Sequence, residues 1–331
     1  MDIYTRTESL DVYKKYISIE EAIHEYLQRY GYLKIDLPVL SPALIPESYL
    51  EVFATRFTYL KNEEKLYLTP SPELFLKRLL VAGIGSCYFL GKAFRNAEPN
   101  SPLHSPEFTM LEFYKTGADY RDIAAEVLGL LQAITQKLYG RLSISYKGQV
   151  ISLKKWETLT VAQAFKKYAG TNNIFDQSEL FKTAKKKGYQ TDGFSYEEIF
   201  SQMYVQEVER HLGMHGYPTL IKDYPKEMAA LAKLNPDQKT AQRFEFYIGG
   251  VELGDCYSEL TDWKELQIRF RAEQKKRKKS GKIDHPIDKG YVKALKKGLG
   301  DCAGIAIGLE RLAMVFTNKR NIHELKLIEI R

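Results

Sequence analysis

Arg95 stands directly after an aromatic residue, Phe94, and a turn-forming run follows it, Glu98-Pro99-Asn100-Ser101-Pro102. An apolar segment then returns with carboxylates at Glu107 and Glu112. Pro and Asn between two apolar runs predict two strands joined by a loop. Side chains alternate along a strand, so Phe108, Met110 and Glu112 share one face. That face sets an aromatic ring, an apolar side chain and a carboxylate opposite an arginine. By spacing alone this is an amphipathic hairpin with a solvated charge.

A second dense stretch, residues 243–260 (RFEFYIGGVELGDCYSEL), carries carboxylates at Glu245, Glu252, Asp255 and Glu259. A turn at Gly249-Gly250 lets two strands bring Glu245 and Glu252 near one point. Hard oxygen ligands with coordination to spare suit Mg²⁺, which keeps waters and takes further ligands from nucleotide phosphates. A surface hairpin with scattered acids has the same pattern. The third stretch, residues 302–312 (CAGIAIGLERL), alternates Gly304, Ala306 and Gly308 with apolar residues. It reads as a buried strand against which something lies flat, with Arg311 opening the next helix.

The elements that must position these residues follow from periodicity. Residues 9–30 show the one-face spacing of a helix, stopped at Gly31, and 32–40 alternate like a strand with Pro38 hinting at an edge or bulge. Short strands are predicted at 53–59 and 65–69. A helix over 74–82 follows, with Ser71 as N-cap and Pro72 at the first position. A second amphipathic helix spans 119–139, capped by Asp119 and ended by Gly140. A hairpin turns at Lys147-Gly148, and Thr160 to Gln163 is a capping box. Residues 155–212 are Lys-rich and predicted helical, 240–262 return to strand, and 264–280 form a helix.

With 331 residues, 44% hydrophobic and 27% charged, the chain has the make-up of a soluble globular protein with ample surface to bury. No apolar run approaches a membrane span, and MDIYTRTESL has no signal-peptide apolar segment. Cys87, Cys256 and Cys302 are isolated from one another, which argues against a zinc site or disulfide framework and suits a reducing cytoplasm. The net charge is +7, partly from the run QKKRKKSGK at 274–282, expected as a solvated helix face supported by Glu265 and Arg269 at i,i+4.

Phe94-Arg95-Asn96 followed by His104-x-Pro106-Glu107-Phe108-Thr109-Met110-x-Glu112-x-Tyr114 resembles motif 2 of class II aminoacyl-tRNA synthetases in their lysyl branch. The helix–Gly–strand–Pro unit near the N-terminus resembles motif 1, which implies a homodimer. Pro72-Glu73-Leu74 with Lys77-Arg78-Leu79 resembles that branch's PEL-x-LKRL segment, and the 302–312 stretch resembles motif 3. The resemblance implies an α+β class II catalytic fold, an antiparallel sheet flanked by helices. The expectation is one catalytic domain over 1–331 with a helical insertion at about 155–212 and no N-terminal OB-fold.

Roles are implied residue by residue. Glu73 holds the substrate's α-ammonium, and Glu112 and Glu259 grip the far ammonium of lysine, with Tyr114, Asp255 and Ala306 in the same substrate pocket. Two buried carboxylates repel, and a substrate ammonium between them supplies a cation with three donors. Arg95, Asn96, Glu98, His104, Phe108, Gly308 and Arg311 bind ATP, with Phe108 and Arg311 on the two faces of adenine. Glu245 and Glu252 hold Mg²⁺. Arg95 and Arg311 are catalytic, and His104 is a substrate-positioning or structural histidine rather than an acid–base catalyst.

Residues 285–288 (HPID), 301–304 (DCAG) and Ala306 resemble the truncated lysyl paralogues, ligases that attach lysine or β-lysine to a lysine of elongation factor P. On that resemblance the acceptor is a protein and tRNA is not expected. The alternatives are a synthetase-like enzyme that forms a small-molecule amide or charges tRNA, and a non-catalytic amino-acid-binding regulator. The chain departs from the family at Ala97, Ser105, Asp255 and Glu310, and by one extra residue before His104. Glu98 then takes the adenine contact through an insertion, or the contact is lost.

Overall fold

A computed structural model describes residues 2–97 and 101–330. Glu98, expected at adenine, lies outside the described residues. Eight strands make the central sheet: β1 (Leu33–Lys34), β2 (Cys87–Phe94), β3 (Glu107–Thr116), β4 (Glu157–Thr160), β5 (Thr219–Pro225), β6 (Thr240–Ile248), β7 (Val251–Ser258) and β8 (Cys302–Gly308). Their order is β4-β5-β6-β7-β8-β3-β2-β1, antiparallel throughout except for the two outermost pairs, which are parallel. The fold is α+β.

Helices α1 (Leu10–Arg29), α3 (Tyr120–Tyr139) and α5 (Leu309–Phe316) cover one face, while α2 (Glu73–Val81) and α4 (Trp263–Lys279) pack beside the other. Ile19, Ile23, Val127, Leu130 and Leu312 meet Leu111, Phe113, Phe244, Phe246, Ile305 and Ile307 in a single core. Those strand positions alternate, so the intervening residues point to the opposite face, where the chemistry-bearing side chains are. Asp119 caps α3 with a reciprocal capping box, and Gly140 ends it at φ 63°.

Local departures from expectation have local causes. The strand over 32–40 breaks into Leu33–Lys34 and Leu40–Ser41, because Pro38 has no N–H to extend a ladder. Helix α2 begins at Glu73, so Pro72 and not Ser71 stands at the N-cap; Ser71 Oγ accepts from the Glu73 N–H at 3.1 Å and donates to Glu112. The stretch from 155 opens on strand β4, paired with β5, before becoming helical at Val161–Ala164. The helical segments up to His211 gather Phe165, Leu180, Phe200, Met203 and Val208 into their own cluster, joined to the sheet through Ile221, Tyr224 and Tyr247.

The basic run is solvated only in part. Glu265 and Arg269 pair at 3.0 Å as expected, yet Arg277 is buried. Its guanidinium donates to the carbonyls of Glu47 (2.6 Å), Leu50 and Ile283 (2.7 Å) and pairs with Glu51. Five donors in a rigid fork suit that many acceptors, so Arg277 fixes the 47–51 loop against α4.

Candidate active site

The non-core face of the sheet, closed by the 47–51 loop and α2, forms a cavity of about 450 Å³. Its floor is laid out by strand register. Glu112, Ala306, Asp255 and Glu245 form one cross-strand row over β3, β8, β7 and β6, and Tyr114, Gly304, Tyr257 and Arg243 form the next. Gly304 has no substitute in this row, because a Cβ there would meet the Tyr114 ring at 2.3 Å. A bulge opposite Phe246 and Tyr247 adds one residue to β7. It changes the parity of the strand, so Glu252 and Asp255, three apart, both line the cavity.

Glu73, Arg95, His104, Phe108, Glu112, Tyr114, Glu245, Glu252, Asp255, Glu259, Ala306, Gly308 and Arg311 all line it. Asn96 does not. Its side chain donates to the Val52 carbonyl at 3.4 Å and accepts from Ala97 N–H at 2.8 Å, tying the strand end to the loop rather than facing a nucleotide.

Two ends differ in character. At one, Arg311 donates to the Leu103 carbonyl (3.1 Å), to His104 Nε2 (2.9 Å) and to Glu252 (3.3 Å). A guanidinium has only donors, so His104 accepts at Nε2 and carries its proton on Nδ1, facing Ser101 Oγ at 2.7 Å. His104 therefore orients Arg311 as a neutral ring. Arg95 lies 5.2 Å over the Phe108 ring, and its Nε is buried without a partner. One face of Phe108 is thus covered by a guanidinium. Both oxygens of Glu310 accept from Thr109 N–H at 2.9 Å, a structural role for this substituted position.

At the other end Glu112 and Glu259 are 3% and 2% exposed, too deep for either charge to be screened by water. Tyr114 and Ser71 donate to Glu112 at 2.7 and 2.9 Å. Burial and the Glu73 carboxylate push Glu112 up to about 8 against those donors. Beside the substrate ammonium expected at Glu259, the protein supplies a cation of its own. Lys77, 1% exposed, pairs with Glu259 at 2.5 Å and with Glu73 as well. Burial alone would lower the Lys77 ammonium, but Glu259 and Glu73 hold it well above its ordinary value. Burial raises Glu259, Lys77 opposes the rise and Glu73 adds to it.

The proton on Glu112 gives a testable pH dependence. An ammonium group favours the ionised carboxylate, so below about pH 8 its binding must expel that proton. Affinity for a cationic amino acid is expected to rise up to about tenfold per pH unit from pH 6 to 8 and then level off. Calorimetric titrations in buffers of different ionisation enthalpy measure the released proton, and a flat affinity with no proton release contradicts the assignment.

Glu245 accepts from Arg243 (2.8 Å) and Tyr247 (2.6 Å), and the insertion's Tyr204 reaches it at 3.3 Å. Burial, with Glu252 adding to it and Arg243 opposing, raises Glu245 to about 7. Among the described residues no group of three or more His, Cys, Asp or Glu could hold a metal alone. Two carboxylates suffice for Mg²⁺ when phosphates supply the rest, and the charge crowding at Glu245 is what a divalent ion relieves. The residues therefore fit. Asp255, a departure from the family, is neutralised by Arg243, which donates to its two oxygens at 2.9 and 3.0 Å.

Four contributors were not foreseen. Lys77 is four residues after Glu73 on α2, and Arg243 is two before Glu245 on β6, spacings that put each pair on one face. Glu47 and Tyr49 come from the 47–51 loop, which has no periodicity to reveal them.

Comparison with known proteins gives a consistent picture. Residues 1–328 match the family of tRNA synthetases class II (D, K and N). The chain is 32% identical, over its whole length, to 67% of a lysine–tRNA ligase of Carboxydothermus hydrogenoformans. It is 33% identical to that of Oceanobacillus iheyensis and 32% to that of Pectobacterium carotovorum, covering 99% and 98% of this chain and 66% and 64% of theirs. The chain thus spans about two thirds of the length of these relatives.

Proposed function

The chain belongs to the class II tRNA synthetases of the D, K and N group, and from that we propose an ATP-dependent ligase that activates lysine or β-lysine as an aminoacyl-adenylate and transfers it to a lysine side chain of elongation factor P. The observation that carries this reading is one cavity with a buried acidic end and an arginine end. Along β3, Phe108 and Glu112 are four residues apart, roughly 13 Å at strand rise. That span accommodates an amino acid whose distal ammonium meets Glu112 and Glu259 while its carboxylate approaches ATP.

An amino acid carboxylate is ionised at neutral pH, so its attack on the α-phosphate requires no general base. Catalysis reduces to bringing two anions together and stabilising charge that develops on phosphorus. Arg311, held by His104 and Leu103, offers preset donors, and Arg95 has its buried Nε free. Mg²⁺ held by Glu245 and Glu252 would offset phosphate charge. Glu73 and Glu112 orient the amino groups, and pyrophosphate leaves.

The acceptor is proposed on the resemblance at 285–288, 301–304 and Ala306. Ala306 sits between Glu112 and Asp255 in the floor, where its methyl changes the pocket shape, an effect of about 1–3 kcal/mol at most. Association as a homodimer through α1 and β1 is proposed from the same resemblance; Leu10, Tyr30 and Leu33 are exposed there. The free, buried Cys87, Cys256 and Cys302 suit a reducing cytoplasm. Among the described residues, no helix is long and apolar enough to cross a membrane.

The names of the relatives support a second reading, transfer of lysine to tRNA. Intact mass of elongation factor P after incubation with enzyme, ATP and either lysine isomer separates the two. One added acyl residue is expected. An unchanged mass together with lysylated tRNA selects the second reading.

A further inference from the structure

Lys77 lies behind the acidic wall of the cavity and not in its lining. Its ammonium pairs with Glu259 at 2.5 Å and with Glu73, and stands 5.6 Å from the Tyr257 ring centroid. Both acids line the cavity, and Lys77 takes Oε2 of Glu259 and Oε1 of Glu73. Both oxygens of Glu259 are buried without a hydrogen bond: Oε2 has the ion pair with Lys77, and Oε1 has no such partner.

We propose that Lys77 is a positioning residue, an internal cation that favours the charged forms of Glu73 and Glu259 and occupies one oxygen of each, so that the site selects ammonium groups over neutral ones. This rests on the reading of the cavity as an amino acid site and specifies what it reads.

Two buried carboxylates without a counter-ion share a proton, and the protonated one donates a hydrogen bond. Such a site welcomes a hydroxyl or amide as readily as an ammonium. With both acids in their charged forms, the trio of Lys77, Glu73 and Glu259 carries a single negative charge, and an ionised Glu112 adds a second. Two negative charges match the two ammonium groups of lysine or β-lysine. The groups facing Lys77 are Glu73 on its own helix, Tyr257 and Glu259 from β7 and its end, Tyr291 of helix Lys289–Leu295, and the Cys302 thiol of β8. Of these, Glu73 and Glu259 are the acids that pair directly with its ammonium.

The test is calorimetric titration of lysine and norleucine into the full chain and into its Lys77→Met and Lys77→Arg variants, at pH 7 and pH 9. Lys77→Met is expected to weaken lysine binding about a hundredfold at pH 7, the equivalent of two pKa units. The loss shrinks at pH 9, and norleucine, which lacks the distal ammonium, is weakened much less. Lys77→Arg keeps the charge and restores the wild-type pH profile. Lysine affinity unchanged in Lys77→Met, or lysine and norleucine weakened alike at both pH values, overturns the proposal. Should Lys77→Met fail to fold, the double variant Lys77→Met/Glu259→Gln restores the charge count. It is then expected to fold without preferring lysine over norleucine, and a retained preference overturns the role. Wild-type protein that binds no lysine overturns the ligase reading itself, whereas normal wild-type binding with an indifferent Lys77→Met removes only this inference.

Discussion

Arg311→Ala is expected to lower amino-acid-dependent ATP–pyrophosphate exchange by about a hundred- to a thousandfold, the usual loss when a preset donor to a developing charge is removed. The side chain is preorganised by three separate partners, the Leu103 carbonyl, His104 Nε2 and Glu252. An alanine leaves all three without their donor and the phosphate without its cation. Arg311→Lys retains charge but not the planar fork, so it should recover a small part of the rate. Amino acid affinity should move little, because Arg311 sits at the opposite end of the cavity from Glu259. A variant with equal losses in lysine affinity and rate would point to a collapsed site instead. His104→Ala offers a graded version, since it removes one of the three supports and leaves the guanidinium.

Glu259→Gln is expected to abolish measurable activation of lysine. Removing one partner of a buried ion pair costs about 3–5 kcal/mol, and here it also removes the charge of an acid that lines the cavity. Lys77 is left with Glu73 alone. An amide presents its own N–H to the substrate ammonium where an acceptor is required. The KM for lysine should rise by at least about a hundredfold, with ATP affinity nearly unchanged. A Glu259→Gln enzyme that still activates lysine normally would remove Glu259 from the substrate pocket.

How much of this was legible in the sequence depended on whether a residue obeys a simple period. The face formed by Phe108, Met110, Glu112 and Tyr114 and the Gly304–Ala306–Gly308 series follow strict alternation, and the register sets those strands side by side. The bulge in β7 was not legible, because one added residue reverses parity without any compositional sign. Arg277 looked like one more solvated cation in a basic run, and only the approach of the 47–51 loop turns its fork inward. Lys77 was visible at i+4 from Glu73, yet its pairing with Glu259 joins residues far apart in the chain and needs the closed fold. For the same reason the family's charge pattern points to the acids but not to the cation that pairs with two of them. Pro38, expected to mark a bulge or edge, instead split its strand.

The most direct test of the central claim is ATP–pyrophosphate exchange with the unaltered protein across the amino acids, β-lysine included. An acidic pocket facing paired arginines predicts exchange with lysine or β-lysine, increasing from pH 6 to 8 as Glu112 loses its proton. Exchange confined to aspartate or asparagine, or none with any amino acid, contradicts it.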